Sequence, residues 1–162
     1  METKLAQKVY SETIFTDGVN YFNSLIQEIN EAQRFIELET YIFQNDILGQ
    51  QIIQALIEAA KRGVKIRILV DGAGSSNWGG TTAKLLEDAH IETRIFHPLP
   101  WRLSQWGRTS IRSPFFLKVM YFFSKINKRN HRKVCIIDRK TAYIGSFNIS
   151  KCHLTKEQGG DG

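Results

Sequence analysis

His131, Lys133, Ser146 and Asn148 are the side chains of this 162-residue chain best suited to attack an anionic ester. They fall within eighteen residues, in the stretches His131-Arg-Lys133-Val-Cys-Ile-Ile-Asp138 and Gly145-Ser146-Phe-Asn148. A phosphodiester repels nucleophiles because its non-bridging oxygens are negative, so a site that attacks it must first neutralise them. The ammonium of Lys133, the hydroxyl of Ser146 and the amide of Asn148 are donors suited to that. The imidazole of His131 brings a nitrogen whose pKa is ordinarily about 6.5, largely neutral near pH 7. A phosphoryl-histidine formed there divides one hard displacement into two easier ones. This scheme calls for no metal and no cofactor.

The spacing has a geometric meaning. His131 and Lys133 are two apart on an apolar, β-branched run, and a period of two turns both side chains to one face of a strand. Asp138 lies an odd number of residues from each, so it faces away and is expected to fix the strand end.

Taken whole, His131-x-Lys133-x4-Asp138-x6-Gly145-Ser146-x-Asn148 resembles the HKD signature of the phospholipase D superfamily. The resemblance implies that His131 is the nucleophile or the partner acid. It also implies that Lys133, Ser146 and Asn148 bind phosphate, with Asp138 and Gly145 as structural members of the motif. Upstream, Phe15-Thr-Asp17-Gly, Ile36-Glu-Leu-Glu-Thr-Tyr41-Ile-Phe43 and Gly63-Val-Lys-Ile-Arg-Ile-Leu-Val70-Asp71-Gly72-Ala-Gly74 are similar to the first half of bacterial cardiolipin synthases. The similarity runs from about Thr13 to Gly160.

The elements that must carry these residues alternate between helix and strand. Asp17 can cap a helix reaching Glu31, with Phe22, Leu25, Ile26 and Ile29 on one stripe. Arg34 to Phe43 reads as a strand. Asp46 can cap a second helix whose Ile47, Ile52, Ile53, Leu56 and Ala60 face inward, and Lys61-Arg62-Gly63 marks its end. Val64 to Asp71 reads as a buried strand, Thr81 to Ala89 as a helix and Ile91 to Phe96 as a strand. Arg132 to Ile137 and Ala142 to Ser146 form a hairpin-like pair around Asp138-Arg139-Lys140. Such alternation implies an α/β sandwich, a mixed sheet flanked by helices, of phospholipase D type. The Gly-rich stretch Gly72 to Gly80 matches neither G-x-G-x-x-G nor G-x-x-x-x-G-K-[ST], so its glycines are read as turn-formers. Cys135, in mid-strand, reads as a small buried hydrophobe.

The length, with 42% apolar and 23% charged residues, fits one domain over 1–162. No apolar signal core or run of eighteen apolar residues occurs, which speaks against a spanning helix. Charge is uneven: from Thr93 to Ile137 there is no acidic residue and there are ten basic ones, so the remainder carries −4 against a net charge of +6. Those cations interleave with aromatics over 98–127. Trp101, Arg102, Trp106, Phe115 and Phe116 are expected to face a membrane interface, since tryptophan and cationic side chains suit the headgroup region. The expected partners are an anionic phospholipid substrate and the membrane surface, with the protein peripheral on the cytoplasmic face.

The superfamily builds one active site from two HKD elements, and this chain contains one. His90, His97 and His153 have no lysine two residues on. In relatives a further strand after G-S-x-N carries an acidic residue that orients the histidine; Gly159 to Gly162 stand about where it should begin, so the domain is expected to be incomplete at its C-terminus, lacking that strand. Glu157 and Asp161 are expected to be poor substitutes, in a polar, glycine-ending tail without fixed structure. Three readings follow: half of a cardiolipin-synthase-like phosphatidyltransferase, completed by a second HKD half; a homodimeric nuclease or phosphodiesterase built from two copies and acting on nucleic acid; or an inactive membrane-binding fragment.

Overall fold

The computed structural model describes residues 11–75, 78, 80–99, 105, 107–108 and 129–161. Helix α1 (Gly18–Glu31) starts where Asp17, in extended conformation, accepts the Asn20 N–H at 2.8 Å. Its Phe22, Leu25 and Ile29 are buried, and Ile26 sits half-buried beside them. Strand β1 (Phe35–Thr40) is shorter than the apolar pattern implies. Past Thr40 the chain leaves the ladder, and Phe43 makes only an isolated parallel bridge to Ile149.

Helix α2 (Ile47–Lys61) is capped by Asp46, whose carboxylate accepts from Gly49 N–H at 3.0 Å and from Lys151 N–H at 2.6 Å. Ile47 does not face inward as expected. It is 43% exposed, because the first turn presents Leu48 to the core instead. The helix ends at Gly63, whose φ of 91° is the left-handed conformation that releases a chain from a helix.

Strand β2 (Lys65–Asp71), helix α3 (Thr81–Asp88) and strand β3 (Glu92–Phe96) follow, then β4 (Val134–Ile137) and β5 (Thr141–Ile144). The five strands are ordered β3-β2-β1-β4-β5. β1 is parallel to β2 and antiparallel to β4, and β4 and β5 form an antiparallel hairpin. Asp138 and Arg139, with φ of 55° and 56°, turn that hairpin through the left-handed region that primed turns demand.

Burial alternates along the strands. Ile36, Leu38, Ile66, Ile68, Val70, Ile95, Cys135 and Ile137 pack inward, against the side where Phe22, Leu25, Ile52 and Leu56 lie. β2 is therefore not buried on both faces. Its Lys65 and Arg67 are exposed, and Arg67 reaches Glu37 and Glu92, each at 3.4 Å.

Because β1 is the parallel-to-antiparallel junction, the carboxyl ends of β1, β2, β3 and β5 and the amino end of β4 share one sheet edge. Ligand sites of open α/β sheets form at such edges.

Candidate active site

The residues of the H-x-K run gather at that edge, though not on a strand. β4 begins at Val134, so His131 and Lys133 lie on the extended approach to it. Their side chains nevertheless meet. Lys133 Nζ is 3.1 Å from His131 Nδ1 and donates to the His131 carbonyl at 2.9 Å. Lys133 is 6% exposed while His131 is exposed. Burial pulls the Lys133 pKa below the ordinary lysine value, because the ammonium has lost water.

An ammonium can only donate, so this contact makes Nδ1 the acceptor and leaves the proton of a neutral ring on Nε2. An anion that draws Lys133 towards itself frees a nitrogen lone pair on His131.

Tyr41, just past β1, completes the cluster. Its ring centroid is 4.8 Å from that of His131, and Lys133 Nζ lies 5.3 Å from it. Behind them, Asp71 at the end of β2 is fully buried. Its carboxylate accepts from the backbone of Ala73 at 2.9 Å and Gly74 at 3.3 Å, and from Asn130 N–H at 2.9 Å. Arg129 stands 3.8 Å away. The Asn130 side chain in turn donates to Glu39 at 3.3 Å. The residue immediately before His131 is thus tied to both β1 and β2.

Ser146 and Asn148 follow β5 at the same edge. The Gly145 N–H donates to the Lys133 carbonyl at 3.2 Å, which keeps the exit of β5 beside the lysine. Asn148 Oδ1 accepts the Ile42 N–H at 3.3 Å, which leaves the amide NH2 as the end available to an anion. Ser146 is exposed, and among the described residues neither side chain hydrogen-bonds to His131 or Lys133. A Cβ on Gly145 would meet nothing within 4 Å, so nothing in the packing explains glycine there.

Asp138 faces away from the cluster, as its odd spacing implied. Its carboxylate accepts from the backbone N–H of Gln33, Arg34 and Phe35 at 2.9, 2.8 and 2.9 Å, stapling the β4–β5 turn to the start of β1.

Sequence reasoning passes over Tyr41, Asp71, Asn130 and Glu39. Tyr41 and Asp71 stand inside upstream stretches that signal only resemblance, and nothing local marks them. The tail, expected to lack fixed structure, is ordered. Lys151–His153 and Lys156–Gln158 form 3-10 turns, Leu154 is buried, and Asp161 pairs with Lys151 at 2.9 Å. Glu157 borders a groove with Phe22 and Leu48, and neither acid contacts His131.

Trp101, Arg102, Trp106, Phe115 and Phe116 lie outside the described residues. The basic stretch is partly neutralised: Arg94 pairs with Glu92, Arg108 with Glu87, Arg129 with Asp71 and Arg132 with Glu39. No helix among the described residues is long and apolar enough to cross a membrane.

Residues 25–158, the span holding β1 to β5 and the whole His131 to Asn148 motif, match the family model for the cardiolipin synthase, phospholipase D-like domain. The chain belongs to that family. The cardiolipin synthase of Clostridium perfringens is 38% identical over 145 residues, 90% of this chain and 26% of that protein. The major cardiolipin synthase ClsA of Bacillus subtilis is 35% identical over 144 residues, 89% and 26% of the two. This member of the phospholipase D-like family therefore spans about a quarter of the length of the curated relatives it matches. Among solved structures, the phospholipase D family member Nuc from Salmonella typhimurium superposes with a TM-score of 0.52 at 26% identity, covering 83% of this chain and 68% of Nuc. NucT from Helicobacter pylori gives 0.55 at 22% identity, covering 84% and 71%, and shows the shared fold.

Proposed function

We propose that this chain supplies one half-site of a cardiolipin-synthase-like phosphatidyltransferase. The observation that carries the reading is the contact of Lys133 Nζ with His131 Nδ1 at the sheet edge, within a domain of the cardiolipin synthase family. In the first step a ring nitrogen of His131 bonds to the phosphorus of a phosphatidyl donor and the phosphorus–oxygen bond to the departing alcohol breaks. A proton from an acid on a second half neutralises that alkoxide. In the second step a lipid hydroxyl gives its proton to the same group and displaces the histidine, leaving a new phosphodiester. Lys133, Ser146 and Asn148 hold the non-bridging oxygens. The substrate is an anionic phospholipid, and the 98–127 segment, with Trp101, Arg102, Trp106, Phe115 and Phe116, seats the protein on the inner face of the cell membrane.

The test is a trapping experiment on the protein assembled with its second half or second copy. Phosphatidylglycerol labelled in its head glycerol and phosphatidylglycerol labelled at phosphorus are each mixed with it and quenched in alkali, where a phosphorus–nitrogen bond survives. Phosphorus label without head label on the His131 peptide, absent from His131→Ala, supports the reading. Full turnover by His131→Ala overturns it. Because the scheme runs through histidine, a chelator leaves turnover unchanged.

A second reading has its own support. The chain covers 68% of Nuc at 26% identity but only a quarter of the cardiolipin synthases, so two copies could complete one site across a two-fold axis. Cleavage of nucleic acid by a demonstrated homodimer that leaves phosphatidylglycerol intact would put this reading first.

A further inference from the structure

Tyr41, Asp71 and Ser75 meet at the site edge, and the proposed reaction gives none of them a role. The Ser75 hydroxyl, itself buried, donates to the Tyr41 carbonyl at 3.1 Å and accepts the Phe43 N–H at 2.9 Å, straddling Ile42 just past the end of β1. A Cβ on Gly74 would collide with that same Tyr41 carbonyl oxygen, so the turn can lie against it only with glycine at 74. Asp71 anchors the turn through Ala73 and Gly74 and, by its other oxygen, anchors Asn130 next to His131. One turn therefore holds at a fixed separation both the strand end that bears Tyr41 and the segment that bears His131.

The first residues of the glycine-rich stretch after β2, Gly72 to Ser75, thus brace the site edge.

What the frame fixes is a ring. His131 is exposed, and exposed side chains change rotamer in picoseconds to nanoseconds, whereas attack needs a narrow range of approach. The Tyr41 ring lies against the imidazole and also within the roughly 6 Å at which an aromatic face attracts an ammonium. It therefore restrains both groups at once. Tyr41 is only half-buried and lies outside the hydrophobic core, so core packing does not account for it.

We propose that Tyr41 is a positioning residue for phosphodiester attack, its ring holding the His131 imidazole and the Lys133 ammonium in one arrangement. The inference rests on the proposed roles of those two residues. It assigns the work to the ring and not to the phenol hydroxyl.

Tyr41→Phe and Tyr41→Leu, made in the assembled protein and assayed on phosphatidylglycerol vesicles, separate these. Tyr41→Phe stays within about twofold of wild type, while Tyr41→Leu loses about 10- to 100-fold in kcat, with KM within about threefold and an unchanged melting temperature. Normal kcat in Tyr41→Leu overturns the proposal, and so does a loss in Tyr41→Phe equal to that in Tyr41→Leu. A second readout needs no turnover. In histidine-labelled protein, the ring-current shifts of the His131 ring protons persist in Tyr41→Phe and collapse in Tyr41→Leu. If wild type turns over no phosphodiester, the functional reading fails, and these shifts alone decide: shifts unchanged in Tyr41→Leu overturn the positioning role.

Discussion

In the proposed reaction Lys133 carries two demands that pull against each other: its charge would meet the phosphate, yet its buried setting disfavours that charge. Its proton is therefore lost at lower pH than from a free lysine. We expect the alkaline limb of kcat to fall below the ordinary lysine value of about 10.4, and to move up in Lys133→Arg, whose guanidinium stays charged. Lys133→Ala should cost about 10²–10³ in kcat, and His131→Ala should remove the covalent pathway altogether. A pH–rate series on the three proteins checks all of this.

Asp138 belongs to the same scale but to stability. Desolvation pushes its carboxyl up, yet the N–H groups of Phe35, Gln33 and Arg34, with Lys140 nearby, outweigh that and hold it below the usual range. A depressed folded pKa contributes stability that is present above the unfolded pKa of about 3.9 and is lost as pH falls through and below it. Asp138→Ala should cost about 1–2 kcal/mol at neutral pH and flatten the acid limb of stability below about pH 4. Urea unfolding across pH reads it.

At the scale of elements, the two helix caps are unequal. Asp17 satisfies its own helix, accepting from the Asn20 backbone and side chain. Asp46 caps α2 and also accepts the Lys151 N–H, binding the tail to the helix start. Asp46→Ala should cost about 1–3 kcal/mol and more than Asp17→Ala, the excess coming from the half-buried Lys151 N–H left without its partner. Denaturation midpoints of the two variants decide it. The caps are legible in the sequence because a cap is decided within three residues. The ends of β1 and β4 are not, since an apolar run continues whether or not a neighbour remains to pair with it. Ile47 shows the same limit, because an apolar stripe does not say which first-turn residue the tertiary core receives.

At the scale of the whole molecule, the charge pattern is partly neutralised among the described residues. Of the ten cations from Arg94 to Lys133, four face carboxylates and Lys133 is buried. Vesicle binding should therefore rest more on apolar contact than a count of charges implies. Replacing Trp101, Trp106, Phe115 and Phe116 by serine should remove the fraction of binding to anionic vesicles that persists in high salt. Wholesale deletion would test something else, since Gln105 is buried against Gly72 and Arg108 is bonded to Glu87 and β3. A demonstrated monomer of this chain should show no turnover, because one imidazole can attack but the leaving alkoxide lacks its acid, a loss of about 10²–10⁴. Sedimentation paired with activity measurements tests that.

The sequence by itself determined the family, the outward turn of Asp138 and the alternation of helices and strands, and it singled out His131, Lys133, Ser146 and Asn148 as the candidates for the proposed chemistry. All of these depend on spacing along the chain, through the period of a strand or the reach of a cap. Only the tertiary structure decided that Tyr41 lies against His131, and that Asp71 holds Asn130 across 59 residues of sequence. Those contacts exist because β1 lies between β2 and β4 and brings their ends to one edge. No local pattern encodes that choice. It follows from how the strands bury their alternate apolar faces together.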